Sequence, residues 1–183
     1  IMSFVKAGDH IVCVDKPYSW TKKLLVELLD RFNVGHTFVD GTDAENYRRA
    51  IRPNTTFFIT ESPNSLTFEP QDLRAVAAIA KAHGITSVVD NAFATSVLQR
   101  PMDFGADVVA YSATKLMDGQ GRVLAGAVCG SEKWITDVLL PFQRNTGPNC
   151  SPFNAWVVHK GLETLELRAM RQSENALLVG RFL

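Results

Sequence analysis

Short apolar runs alternate with helical patterns along this chain, and this alternation limits the folds it can adopt. Continuous apolar runs predict buried strands at positions 10–15, 37–39, 56–60, 85–89, 108–110 and 124–128. Helical spacing of apolar residues predicts helices over 21–32, 43–51 with Asp43 as the N-cap, 71–83 ending at Gly84, and from Phe153 onward. Buried strands separated by helices are typical of an α/β fold, three layers (α/β/α) around a mostly parallel sheet.

Composition narrows the possible partners. The 183 residues are 46% hydrophobic and 21% charged, and the 19 basic and 19 acidic residues balance. A chain without net charge has no long-range attraction for nucleic acid or an anionic membrane, and no apolar stretch approaches the roughly 20 residues of a membrane span. The 3 cysteines and 4 histidines lack metal-ligand spacing. We expect a cytoplasmic protein with reduced cysteines and no metal, nucleic-acid or membrane partner.

Polar residues follow three of the predicted strands. They are Glu61-Ser62-Pro63, Asp90-Asn91 and the stretch from Ser112 to Lys115. Ligands of parallel α/β sheets bind beyond the carboxyl ends of the strands. If these strands are neighbours in the sheet, the three groups are expected to meet in one crevice.

One interpretation of Lys115 is a dehydrogenase. Tyr111 and Lys115 have the Tyr-x-x-x-Lys spacing of short-chain dehydrogenases. That chemistry needs both residues on successive turns of one helix and an early glycine-rich turn for a dinucleotide. The chain contains no G-x-G-x-x-G or G-x-x-x-G-x-G, and "VVAYSATK" is typical of a strand and a turn. The spacing alone is therefore weak support for this alternative.

A second interpretation is an aldehyde cofactor. A lysine amine such as that of Lys115 forms a Schiff base with an aldehyde. A carboxylate such as Asp90 can keep a pyridine nitrogen protonated, and the Ser112 and Thr114 hydroxyls can donate to a phosphate. Pyridoxal phosphate would use all of these groups. The alternative roles of a solvent-exposed turn lysine, a capping aspartate and turn hydroxyls remain open on these residues alone.

A long ordered segment carries a family resemblance. "VVDNAFATSVLQRPMDFGADVVAYSATK" resembles the Cys/Met-metabolism family of pyridoxal-phosphate enzymes, and so do "KAGDHIV", "ESP", "SPFNAWVVHKGLETLELR" and "SENAL". Within the family, "DGQGRVLAGAV" and "GPNCSPFNAWVVHKGLETL" are most similar to the O-succinylhomoserine sulfhydrylase branch. The resemblance implies the large cofactor domain of a fold-type I enzyme, similar to that of aspartate aminotransferase.

The resemblance also implies roles for single residues. Lys115 would be the Schiff-base lysine, Asp90 the partner of the pyridine nitrogen, and Ser112 and Thr114 would bind the cofactor phosphate. "YSWT" stands where the family often has Tyr-Gly-Gly-Thr, which would place Tyr18 on the face of the cofactor ring, with a hydroxyl available for proton transfer.

A departure from the family pattern occurs in "ESPNSL". The family usually reads Glu-Ser-Pro-x-Asn-Pro, so Ser65 occupies the place of the asparagine that contacts the phenolic oxygen of the cofactor. Asn64 could take over this contact through a shift of one residue.

The resemblance further implies an activity and an assembly. We expect a pyridoxal-phosphate-dependent γ-replacement on an O-acyl-homoserine with a sulfur nucleophile, giving homocysteine in methionine biosynthesis or transsulfuration. A cystathionine or methionine lyase of the same family and a non-catalytic fragment are the alternatives. Residues 1–183 would form the cofactor domain without its N-terminal arm and C-terminal small domain, toward which 153–183 would lead. The substrate would be a small amino acid, in a homodimer or homotetramer with shared active sites.

Overall fold

A single six-stranded sheet organises the structure, a computed structural model that describes residues 1–183. The strands are β1 His10–Val14, β2 Gly35–Val39, β3 Thr55–Glu61, β4 Thr86–Asp90, β5 Val108–Tyr111 and β6 Ala127–Gly130. Their order is β2-β1-β3-β4-β5-β6, and β1 pairs in parallel with β2 and β3, as does β3 with β4. The predicted α/β class with a mostly parallel sheet is confirmed.

Helices connect these strands. The α-helices are α1 Ser19–Lys23, α2 Ala44–Arg49, α3 Leu73–Ala82, α4 Thr95–Leu98, α5 Glu132–Trp134, α6 Leu140–Thr146, α7 Pro152–Leu162 and α8 Leu165–Phe182. Two π-helical stretches, Leu24–Leu29 and Ile135–Leu139, follow α1 and α5, and 3₁₀ turns occupy Asp30–Phe32 and Pro101–Phe104. None of these helices combines the length and the apolar character that crossing a membrane requires.

The chain divides into two compact units that are interleaved in sequence. The first unit comprises Ile1–Asp90, Pro101–Val109 and Cys129–Pro148. The second comprises Asn91–Arg100, Ala110–Val128 and Asn149–Leu183. β5 and β6 each contain residues assigned to both units.

The core of the first unit has two faces, one on each side of β1. Ile11 and Cys13 belong to a buried cluster with Leu25 and Leu29 of the π-helical stretch. Val12, which points the other way along the strand, belongs to a second cluster with side chains of α2 and α3. Helices therefore cover both faces of the sheet, which confirms the three-layer arrangement.

The second unit has its own small core around the turn after β5. Ala113 and Met117 of this turn are buried together with Leu165, the first residue of α8. Partly buried side chains of Val97 and Leu116 pack against them. This apolar cluster attaches the turn that contains Lys115 to the C-terminal helices.

One sequence expectation needs correction. The apolar run at 124–128 forms a strand only from Ala127, and Leu124 is 81% exposed. Ala125 instead bonds to Thr114, accepting from its amide at 3.0 Å and donating to its hydroxyl at 2.9 Å, so the run is diverted from the sheet ladder. The tract from Phe153 onward is helical as predicted and consists of two helices, since α7 ends at Leu162 and α8 begins at Leu165.

His10 joins three strands at the start of β1. Its ring is fully buried, with Nδ1 2.8 Å from the Thr55 hydroxyl on β3 and Nε2 2.9 Å from the Thr37 hydroxyl on β2. Burial, followed by the positive charge of Arg52, lowers the pKa of His10 to about 4. The neutral ring is therefore the form that the folded sheet accommodates.

We predict that His10 makes the protein less stable in mild acid. Between about pH 6.5 and about pH 4 the unfolded chain binds a proton at His10 that the folded chain does not, so the free energy of unfolding falls as the pH decreases. A single group of this kind contributes at most about 1.4 kcal/mol per pH unit. Urea unfolding across this range should show a shallower pH dependence for His10→Gln than for wild type. His159→Gln, an exposed histidine of α7, should keep the wild-type slope, and equal slopes for all three proteins would refute the prediction.

Candidate active site

Two carboxylates lie side by side at the end of the sheet in the first unit. Glu61 is the last residue of β3 and Asp90 the last residue of β4, and the parallel register pairs them directly. This is the edge at which parallel α/β sheets bind ligands. The register therefore makes Glu61 and Asp90, from two of the three groups expected to meet, direct neighbours, and the crevice itself stays a prediction.

Glu61 connects two segments of the first unit to this edge. Its Oε2 accepts the backbone N–H of Tyr18 at 2.6 Å, and its Oε1 accepts the hydroxyl of Ser65. The residue is only 3% exposed. Burial raises the pKa of Glu61 and the charge of Asp90 raises it further, against the hydrogen bonds from Ser65 and Tyr18, which lower it. Sequence reasoning noted the Glu61 carboxylate but gave it no role.

Tyr18 lies immediately before α1. Its backbone is extended, with φ −46° and ψ 133°, and its side chain is 48% exposed. Lys16, two residues earlier, forms an ion pair with Glu69 at 2.8 Å. The backbone of Tyr18 is therefore fixed by Glu61, whereas its ring remains accessible to a ligand.

The "ESPNSL" segment folds into a loop with its own hydrogen bonds. The buried Asn64 amide accepts from the Thr67 hydroxyl at 2.7 Å and from the Glu69 backbone at 3.1 Å, and donates to the Glu69 carboxylate at 3.1 Å. These bonds occupy Asn64 within the loop, which argues against its taking over the cofactor contact by a shift of one residue. Ser65 is half-buried and uses its only O–H on Glu61.

Lys115 lies in the turn that follows β5 in the second unit. Its amide donates to the Ser112 carbonyl at 3.0 Å, and its carbonyl accepts from Gly119 at 2.8 Å. Its side chain is exposed, and its amine makes no hydrogen bond or ion pair. The backbone of Lys115 is therefore held while its amine is free to react.

The two hydroxyls next to Lys115 differ in their surroundings. Ser112 is half-buried, and its hydroxyl has no hydrogen-bond partner in the protein. The Thr114 hydroxyl donates to the Ala125 carbonyl at 3.1 Å and accepts the Ala125 amide at 2.9 Å. Only the Ser112 hydroxyl is available as a donor without breaking a bond, although both residues lie in the same turn as Lys115.

Asp118 and Arg122 hold the second half of this turn. The Asp118 side chain is fully buried and accepts the Arg122 amide at 2.7 Å and its guanidinium at 2.8 Å. The Arg122 amide and guanidinium keep the pKa of Asp118 below its usual value. Arg122 therefore pairs with Asp118 through both its side chain and its backbone amide.

Arg168 and Gly161 attach the same turn to α7 and α8. The Arg168 guanidinium donates to the carbonyls of Leu116 and Gly161, each at 2.7 Å. A β-carbon on Gly161 would overlap the carbonyl oxygen of Met117 and lie 2.8 Å from that of Asp118, so only glycine allows the helix to approach the turn this closely. Sequence reasoning missed both residues, because their contacts with the turn join distant positions, 52 apart in the case of Arg168 and Leu116.

The dehydrogenase interpretation does not match the structure. Tyr111 is the last residue of β5, and Lys115 lies in the following turn, so the pair does not lie on successive turns of one helix. The Tyr111 hydroxyl is 3.4 Å from the Asn91 amide. The Tyr-x-x-x-Lys spacing is therefore a coincidence of strand and turn.

The side chains present match the chemistry of pyridoxal phosphate. Within the first unit, carboxylates stand at the strand ends and the aromatic ring of Tyr18 is accessible. Within the second unit, one turn carries an amine and a hydroxyl that have no hydrogen-bond partner. An aldehyde, a pyridine nitrogen and a phosphate require such groups. The structure has no cluster of three or more His, Cys, Asp or Glu residues placed to bind a metal.

Three known proteins show what the chain is similar to. The O-succinylhomoserine sulfhydrylase of Pseudomonas aeruginosa is 40% identical over 183 residues, which are 100% of this chain and 45% of that protein. The L-methionine gamma-lyase of Treponema denticola is 41% identical over 186 residues, covering 100% of this chain and 46% of that protein. The crystal structure of metB from Corynebacterium glutamicum matches with a TM-score of 0.95 and 34% identity, covering 97% of this chain and 46% of that chain.

These similarities settle the family and the fold. The chain spans about half the length of the curated relatives it matches. The structural match confirms the fold that the sequence resemblance implied. A family model described as Cys/Met metabolism PLP-dependent enzyme matches residues 1–183, and pyridoxal 5′-phosphate is the cofactor expected from the sequence. The chain therefore belongs to the Cys/Met metabolism family of pyridoxal-phosphate-dependent enzymes.

Proposed function

We propose that the whole protein catalyses γ-replacement on an O-acyl-homoserine. The Cγ–O bond breaks, the acyl group leaves with this oxygen as a carboxylate, and a sulfur nucleophile bonds to Cγ to give homocysteine. The observation that carries the proposal is the free amine of Lys115 on a fixed turn after β5, in a chain 40% identical along its entire length to an O-succinylhomoserine sulfhydrylase. The substrate would be a small amino acid with a leaving group on Cγ.

Lys115 and Asp90 would have the central roles in this reaction. Bound pyridoxal phosphate supplies an aldehyde that captures an amine and a protonated ring that withdraws electrons from the substrate. The exposed Lys115 amine would bind this aldehyde and, once released, move protons at Cα and Cβ of the substrate. The Asp90 carboxylate at the end of β4 would hold the proton on the ring nitrogen.

The remaining groups would orient the cofactor. The Ser112 hydroxyl, which has no partner in the protein, would donate to the phosphate. The Thr114 hydroxyl would donate there only after turning away from the Ala125 carbonyl, while still accepting the Ala125 amide. The half-exposed Tyr18 ring would cover a face of the cofactor, and Ser65 would stand near its phenolic oxygen.

A lyase activity is the second candidate. The L-methionine gamma-lyase of Treponema denticola is as similar to this chain as the sulfhydrylase, at 41% identity. Elimination begins with the same proton transfers and the same departure of the Cγ substituent. It differs in that no nucleophile adds, and the amino-acid product is released as a keto acid and ammonia.

The first prediction separates these two activities. With O-succinyl-homoserine and sulfide, the whole protein should consume sulfide and release succinate and homocysteine in equal amounts. Without sulfide, a replacement enzyme should release little keto acid or ammonia. O-acetyl-homoserine tests the choice of acyl group. If the protein instead released keto acid and ammonia in amounts equal to the released succinate while sulfide is present, the activity would be elimination. That result would overturn the proposal of a replacement enzyme.

The second prediction concerns the reactive amine. Borohydride treatment of the cofactor-loaded protein should fix the cofactor to Lys115, as peptide mapping would show. Lys115→Arg should lose this label and the visible absorption band, and its activity should fall by at least about a hundredfold. Lys81→Arg changes an exposed lysine on α3 and should behave as wild type. Label spread over several lysines would refute the assignment of Lys115.

The third prediction tests the support of the Lys115 turn. Gly161→Ala places a methyl group against the Met117 carbonyl, so it should lower the free energy of unfolding by about 1–3 kcal/mol and weaken cofactor binding. Gly180→Ala is the matched control, because a β-carbon there meets nothing within 4 Å in α8. That control should be neutral or stabilising by up to about 1 kcal/mol. Thermal melts and absorbance titrations with the cofactor would measure both effects, and equal behaviour of the two variants would contradict the prediction.

A further inference from the structure

Glu61 is a buried carboxylate to which the proposed reaction assigns no step. It ends β3 directly opposite Asp90, and 3% of its surface is exposed. Burial removes water from the charged form, and a second carboxylate next to it adds repulsion. Both effects raise the pKa of Glu61, so its ionised form destabilises the folded protein near neutral pH. A group placed at such a cost requires a compensating role.

Its hydrogen bonds indicate what this role is. The two carboxylate oxygens accept from different segments, Oε2 from the Tyr18 amide at 2.6 Å and Oε1 from the Ser65 hydroxyl. Tyr18 lies 43 positions away in sequence and Ser65 lies 4 positions away, in the loop that follows β3. One side chain therefore joins the start of α1 to the loop beside Asp90.

Glutamine, the neutral side chain of the same size, cannot accept both bonds. The Tyr18 amide can only donate, so it needs an oxygen acceptor, and the Ser65 hydroxyl donates to the other oxygen. A glutamine has one oxygen and one NH₂ group, so it could accept from Tyr18 only by presenting NH₂ to Ser65 and reversing that bond. Bonds to a charged acceptor are also about twice as strong as neutral ones.

We propose that Glu61 is a positioning residue of the active site, which fixes Tyr18 and Ser65 relative to Asp90 for binding of the cofactor. This proposal rests on the proposed cofactor site and specifies how this chain builds one side of it. Glu61 acts through Tyr18 and Ser65 and takes no part in the proton transfers itself.

Glu69 provides a matched control in the same loop. Its carboxylate pairs with Lys16 and accepts from Asn64 and Thr67, so it holds the loop together without touching Tyr18 or Ser65. Its side chain is 36% exposed, in contrast to that of Glu61. Glu69→Gln therefore perturbs the stability of the loop, whereas Glu61→Gln perturbs the placement of Tyr18 and Ser65.

The experiment compares Glu61→Gln, Glu69→Gln and wild type in the whole protein. The dissociation constant for pyridoxal phosphate is measured by absorbance titration, and the apoprotein is characterised by its melting temperature and by hydrogen exchange of the peptide that contains Tyr18. For Glu61→Gln we expect about tenfold weaker cofactor binding, the loss expected from one charge-assisted hydrogen bond. We also expect faster exchange at Tyr18 and a melting temperature that is unchanged or higher at pH 7.5. Glu69→Gln should leave cofactor binding within about twofold of wild type.

Unchanged cofactor binding and unchanged exchange at Tyr18 in Glu61→Gln would overturn the proposal. A lower melting temperature without weaker cofactor binding would also overturn it, because Glu61 would then be a structural residue. None of these readouts depends on substrate turnover. If wild type binds the cofactor on Lys115 but does not convert acyl-homoserines, the proposed function is wrong. The binding and exchange measurements would still test the role of Glu61.

Discussion

For the proposed role of Lys115, the turn after β5 would have to hold the backbone of this residue firmly and leave its amine without a partner. These demands conflict, because the simplest way to order a lysine is to pair its charge. Here the order comes from the backbone: the Arg168 guanidinium binds carbonyls of the turn, and the buried Asp118 carboxylate binds its amides. The apolar side chains of Ala113 and Met117 add packing against α8. Lys115 itself contributes nothing to this network except its own backbone, which leaves the amine available for covalent chemistry.

Electrostatics divides the roles of the acidic residues. Asp118 is buried but surrounded by donors that keep its pKa low, so it stabilises the turn as an ion. Glu61 is buried with two donors and a neighbouring carboxylate, and its pKa is raised. An acidic residue whose pKa is lowered in the folded state contributes to the stability of the fold near neutral pH, whereas an acidic residue whose pKa is raised decreases this stability. This contrast separates a carboxylate that serves the fold from one whose position needs a functional explanation.

The sequence predicted those parts of the fold in which local pattern and burial agree. The runs at β1, β3 and β4 are continuous and apolar because these strands lie between two helical layers, and Asp43 caps α2 as expected. The helices over 132–146 were missed, although Ser131 caps α5 by accepting the Trp134 amide, a signal that was present in "SEKW". For the site, chemistry and resemblance led to the proposed roles of Lys115, Asp90 and their neighbours, which remain predictions. Arg168, Gly161 and the bonds of Glu61 could not be found, because they join positions far apart in sequence or depend on the exact course of a loop.

The late start of β6, where the sequence pattern predicted a strand from Leu124, shows that the Thr114 side chain affects both the end of the sheet and the turn that contains Lys115. The Thr114 side chain forms two hydrogen bonds with the backbone of Ala125, which keep "VLA" out of the strand even though its composition favours one. The same bonds fix the hydroxyl of Thr114 within the turn that contains Lys115. A strand starting at Leu124 would pair its backbone in the ladder and leave Thr114 without this anchor. The local β-propensity is therefore overridden by a contact that orders the turn, and the strand begins only where that contact ends.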